Sequence, residues 1–102
     1  MPGTKYSFRV YVTGETTRSV QAVANVRRLC EAQLAGRYEI EVVDVVANPG
    51  VAEEERILAT PTVVRHAPLP RRRVIGDLSD AELAGIALGI TDPEAIASKG
   101  WT

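Results

Sequence analysis

Cys30 is the only cysteine in the chain, and His66 is the only histidine. A single thiol closes no internal disulfide and has no second sulfur to resolve a mixed disulfide. It also lacks the companion ligands of a zinc site. Cys30 recurs with Val20, Val23, Val26 and Leu34 at helical spacing, so its expected place is a buried apolar position. His66 has no second histidine with which to share a metal and reads as a partly exposed residue near a turn. Glu53, Glu54 and Glu55 offer carboxylates, but three consecutive helical residues project in different directions and read as a solvated helix start. Gly14, Gly36, Gly76, Gly85 and Gly89 form no phosphate-binding fingerprint, and the Ser and Thr hydroxyls lack a base to activate them. No catalytic residue, metal or cofactor is therefore expected. Arg71, Arg72 and Arg73 are the densest charge cluster, with Arg65 on a facing run. Two readings stay open: charges that deter unwanted pairing at a sheet edge, or a docking patch for an acidic partner surface.

The elements that must position these residues follow from periodicity. Residues 5–12 alternate, with Tyr6, Phe8, Val10 and Val12 on one face and Lys5, Ser7, Arg9 and Tyr11 on the other, which predicts a strand. Thr17 or Ser19 is the expected cap of a helix that ends at Gly36. Residues 38–46 predict a second strand whose apolar end suits a central position. Asn48 and Pro49 signal a short helix, capped by Asn48 and anchored by Val51, Ile57 and Leu58. Residues 62–66 and 71–75 read as a hairpin around a proline-rich connection. The run from Ser79 to Glu82 has capping-box spacing, and Leu83, Ile86, Ala87 and Ile90 would line the buried stripe of a last helix. The order β-α-β-α-β-β-α predicts an α/β fold of thioredoxin-like arrangement. By that analogy Pro61 is expected to follow a cis peptide bond. The turn from Gly14 to Ser19, where a thioredoxin carries its two cysteines, holds no sulfur.

The 102 residues suit one domain, with an ordered core over about 5–91 and a tail over 92–102 in which Trp101 is the one anchor. The net charge of −1, from 12 basic and 13 acidic residues, gives no reason to expect nucleic-acid or membrane binding. No apolar run approaches the roughly 18 residues of a membrane helix, and the start at Met1 lacks a signal-peptide pattern, so a cytoplasmic protein is expected.

Several blocks resemble the KaiB family, in order and at its spacing. They are Tyr11-Val12-Thr13-Gly14, Asp44-Val45 with Asn48-Pro49, Ala52-Glu53-Glu54, Ile57-Leu58-Ala59-Thr60-Pro61-Thr62, and Ile75-Gly76-Asp77-Leu78-Ser79. The likeness covers roughly residues 6–90 and extends to the KaiB-like sensor domain of the histidine kinase SasA. It implies a non-catalytic circadian clock component that binds the KaiC ATPase ring, displaces SasA and captures KaiA. It also implies two alternative folds: a ground-state βαββααβ form, usually tetrameric, and a thioredoxin-like form that binds KaiC. By position, Glu39, Glu41 and Arg56 fall on the KaiC-facing surface, and Arg65, Arg72 and Arg73 on the KaiA-facing one. Pro61, Gly76, Asp77, Ala87 and Gly89 fall in the region that differs between the two folds. Ala87 replaces a family glycine and Gly89 a family aspartate, and the alanine favours helix by up to about 1 kcal/mol. A mainly thioredoxin-like, largely monomeric chain is expected, the tetramer being the alternative. The alternative function is a KaiB-like adaptor that docks to a signalling histidine kinase without KaiC.

Overall fold

The computed structural model describes residues 4–91; the expected tail of 92–102 with Trp101 lies outside them. Strand β1 (Tyr6–Val12), helix α1 (Thr17–Leu34), β2 (Tyr38–Asp44), α2 (Pro49–Glu54), β3 (Thr62–Ala67), β4 (Arg72–Ile75) and α3 (Ala81–Ala87) follow in the expected order. They build one four-stranded sheet in the order β2-β1-β3-β4. β1 pairs with β2 in parallel, while β3 is antiparallel to both β1 and β4.

The alternation of β1 divides the core between the two faces of the sheet. Phe8, Val10 and Val12 meet Ala22, Val26, Leu29, Cys30 and Leu34 of α1, with Leu78, Ala84 and Leu88 closing the same layer. Burying a side chain the size of Phe8 or Leu88 contributes about 2–3 kcal/mol. On the other face Tyr11, Val43 and Val64 form a smaller cluster under Val45, Val51 and Ile57. The Thr60–Pro61 bond is cis, as the thioredoxin-like analogy implies.

Four local expectations need correction. The cap of α1 is Thr16, whose hydroxyl oxygen accepts from the Ser19 amide; Ser19 is instead buried, its Oγ accepting from the Thr13 amide. That phase leaves Val20 exposed at 56%. β2 is an edge strand rather than a central one, because it pairs with β1 alone, and Val42 is 44% and Val46, past its end, 69% exposed. Asn48 does not cap α2 through its side chain, which donates to the Asp44 carbonyl instead, and Leu58 is no anchor, being fully in solvent. Helix α3 is capped by Asp80, whose carboxylate accepts from the Leu83 amide. Its buried stripe is Ala84, Gly85 and Leu88, with Leu83 exposed. The stripe is offset because α3 approaches α1 through its smallest residues: a methyl group on Gly85 would lie 3.5 Å from Leu29 and clash with Thr91.

Candidate interaction surface

The chemistry expected to be missing has a physical counterpart in Cys30. The thiol is fully buried on the inner face of α1, and burial, aided by Glu31, pushes its pKa up to about 12. A thiolate is therefore scarce at neutral pH. No group of three His, Cys, Asp or Glu residues that could hold a metal ion exists among the described residues.

The side of the sheet away from α1 carries a connected set of charges. Glu41, Arg9, Val64 and Arg73 stand in one row across all four strands. Arg9 donates from Nε to Glu41 at 2.9 Å and from a terminal nitrogen to the Tyr11 hydroxyl at 3.1 Å. Tyr11 in turn reaches Glu55 at 3.5 Å, and Arg71 forms a close ion pair with the same carboxylate. Burial pushes the Glu55 carboxyl up, but the Arg71 hydrogen bond and charge, with smaller help from His66 and Arg9, outweigh it and hold it below the usual range. His66 Nε2 lies 3.8 Å from Glu55 without a hydrogen bond. Burial first, then the charges of Arg71 and Arg9, push its pKa down, against the pull of Glu55 and Glu41. Lys5 and Glu39 form an exposed ion pair at 3.9 Å at the end of the face.

Most of the expected contact residues sit on or beside this face. Glu39 and Glu41 are exposed on β2, and Arg56 is exposed just beyond α2 with a φ of 54°. Arg73 is exposed too, but its guanidinium donates to the carbonyls of Glu55 at 2.7 Å and Arg56 at 3.1 Å, tying the end of α2 to β4. The three arginines expected to act together do not share a surface. Strand alternation puts Arg72 on the opposite side from Arg73, paired across strands with Arg65.

Arg65 itself is not a surface contact in this fold. It is only 5% exposed. Its guanidinium donates to the carbonyls of Leu88 at 2.9 Å, Gly89 at 3.3 Å and Pro70 at 2.7 Å. Its charge centre stands 5.8 Å from the centre of the Tyr6 ring. Carbonyls at the end of a helix carry partial negative charge, which suits a cation there. Among the fold-region residues, Gly76 and Gly89 have positive φ, Ala87 is exposed on α3, and Asp77 accepts from Asn25 on its carbonyl and from the Ser79 amide on its carboxylate.

The network around Arg9, Tyr11, Glu55 and Arg71 was not anticipated. Its signal was present: Arg9 occupies the polar phase of β1 and Glu41 the matching phase of β2. What the sequence could not tell is that only Glu55 of the three consecutive glutamates turns inward.

Comparison with known proteins assigns this architecture. A model of the KaiB domain matches residues 9–90. The circadian clock protein KaiB3 of Synechocystis is 43% identical over 88 residues, covering 86% of this chain and 85% of that protein. The circadian clock oscillator protein KaiB of Synechococcus elongatus is 45% identical over 89 residues, covering 87% of each. In fold, the N-terminal domain of SasA from Synechococcus elongatus aligns with a TM-score of 0.69 at 19% identity, covering 97% of this chain and 90% of that one. A chloroplastic thioredoxin z aligns with a TM-score of 0.65 at 22% identity, covering 81% and 75%. The thioredoxin-like sheet, without the cysteine pair, and a family match spanning nearly the whole described domain lead to one assignment: the chain belongs to the KaiB family of circadian clock proteins.

Proposed function

We propose that this protein is a non-catalytic component of a circadian clock or timer that docks onto a KaiC-like ATPase ring and modulates its phosphorylation state. The observation that carries the proposal is the family match across residues 9–90, which runs from within β1 to beyond α3. The geometry supports a docking role, since charged side chains of the sheet are left accessible on both of its faces. Glu39, Glu41 and Arg56 offer a mixed-charge face for the ATPase, and Arg72, exposed on the other side, offers a guanidinium to an acidic partner such as a KaiA-like protein. The chain works as a cytoplasmic monomer in this arrangement.

Co-elution with a KaiC-like ATPase in the presence of ATP tests the reading. Complex formation that is lost on Arg56→Glu supports it. Absence of any complex with the host's own KaiC-like protein overturns it. The likeness to the SasA domain favours a second reading, in which the protein is an adaptor for a signalling histidine kinase and either competes with a SasA-like kinase or replaces its sensor. Capture of such a kinase by the purified chain, with no ATPase bound, selects that alternative.

A further inference from the structure

Arg65 and Arg72 face each other across β3 and β4, yet their circumstances are opposite. Arg65 is buried, and all its hydrogen bonds go to backbone carbonyls at the end of α3 and in the connection to β4. Arg72 is exposed and, among the described residues, its side chain has neither an ion-pair partner nor a hydrogen bond. Gly89 touches both: a methyl group there would lie 2.7 Å from a terminal nitrogen of Arg65 and 3.6 Å from Nε of Arg72. The end of α3 is thus held by one guanidinium while a second, of the same sign, stands beside it. No carboxylate among the described residues pairs with either one.

The apolar hold on α3 is slight. Of its seven residues only Ala84 and Gly85 are buried, followed by Leu88 at its cap. The seating of the helix end therefore depends strongly on the hydrogen bonds of Arg65, and these compete with repulsion from Arg72. Burial first, and then the Arg72 charge, work against the Arg65 cation.

We propose that binding of an acidic partner group at Arg72 and the seating of α3 are coupled through Arg65. A carboxylate on Arg72 cancels the neighbouring charge and lets Arg65 hold the Leu88 and Gly89 carbonyls more firmly. By linkage, a firmly seated α3 strengthens the acidic contact by the same factor. Arg65 is thereby a positioning residue for the docking site. The inference rests on the acidic-partner role proposed above for Arg72.

Amide hydrogen exchange on the full chain tests it. The amides of Leu88, Gly89 and Ile90 donate to Ala84, Ile86 and Gly85 and report directly on the end of α3. In the free protein, Arg72→Gln should slow exchange at these amides by about two- to fivefold, the scale of one exposed charge pair. Amides of Val10, Val26 and Val43 should be unchanged. The slowing should shrink at high salt, since Arg72 is open to solvent. Saturating hexaglutamate peptide should slow the same three amides in the unsubstituted protein, and Arg72→Gln should abolish the response. Peptide that binds through Arg72 without slowing them overturns the coupling and leaves the docking role standing. Slowing by Arg72→Gln with no peptide binding supports the coupling and removes the acidic-partner role. An Arg72→Gln protein whose α3 amides exchange unchanged or faster overturns the proposal outright.

Discussion

Gly36 and Gly89 form a matched pair on which the role of Arg65 can be measured. Each follows a helix, with φ of 76° at Gly36 and 73° at Gly89. They differ in surroundings: a methyl group on Gly36 meets nothing within 4 Å, whereas one on Gly89 falls 2.7 Å from the terminal nitrogen of Arg65. Gly36→Ala carries only the cost of a left-handed alanine, about 1 kcal/mol. Gly89→Ala carries that cost and must also displace the nitrogen that donates to the Leu88 and Gly89 carbonyls. To reach ordinary contact distance that nitrogen must shift, and the expected consequence is weakening of both bonds. Hydrogen bonds to a charged group are worth about 1.5–3 kcal/mol. Gly89→Ala is therefore expected to destabilise by about 2.5–4 kcal/mol, against about 1 for Gly36→Ala. Urea unfolding followed by far-UV circular dichroism at neutral pH, with an unchanged m value, reads the difference. Equal losses for the two variants would refute the reasoning, because the guanidinium would then be free to move aside.

Thr16→Ala should cost about 1 kcal/mol through loss of the α1 cap, measured in the same urea series. Cys30, with its pKa raised to about 12, should resist iodoacetamide at pH 8 and react only once urea unfolds the chain. Stability should fall in two stages on acidification. His66, lowered by burial, takes up its proton less readily folded than unfolded, so stability is lost as pH drops below about 6.5. Glu55, also lowered, contributes above about pH 4.3 and its contribution is lost as pH falls through its folded value. His66→Gln should flatten the first stage and Glu55→Gln part of the second in pH-dependent urea melts. Backbone chemical shifts across Ala81–Ala87 should be helical; a strand signature there would contradict the thioredoxin-like fold.

Much of the architecture was legible because β1 alternates so cleanly. Its two phases, Phe8-Val10-Val12 and Arg9-Tyr11, correspond to the two sides of the sheet. The two short runs around the proline-rich connection located the hairpin, and the thioredoxin-like order of elements located the cis proline. Legibility failed where burial is decided by something other than side-chain hydrophobicity. Ser19 is inside because its hydroxyl satisfies a backbone amide. Ala84 and Gly85 are inside because α3 must come close to α1. The apolar stretch from Val42 to Val46 suggested a central strand, but strand order is a long-range outcome that no local run reports. At the candidate surface, charge type was legible and sidedness only partly so. Arg65 reads as one more surface cation until the carbonyls it serves, from residues 70, 88 and 89, are brought around it by the fold.

The free border of β2 also bears on how this protein behaves when crowded. An unpaired strand flanked by exposed Val20, Val42 and Val46 is where like molecules add edge to edge and begin to aggregate. Here Glu39 and Glu41 stand on one face of that border, and although each already pairs with Lys5 or Arg9, two copies approaching strand to strand would bring like carboxylates together. Replacing Glu39 and Glu41 with glutamine is expected to raise the sedimenting fraction at high protein concentration, read by analytical ultracentrifugation alongside an unchanged far-UV circular dichroism spectrum.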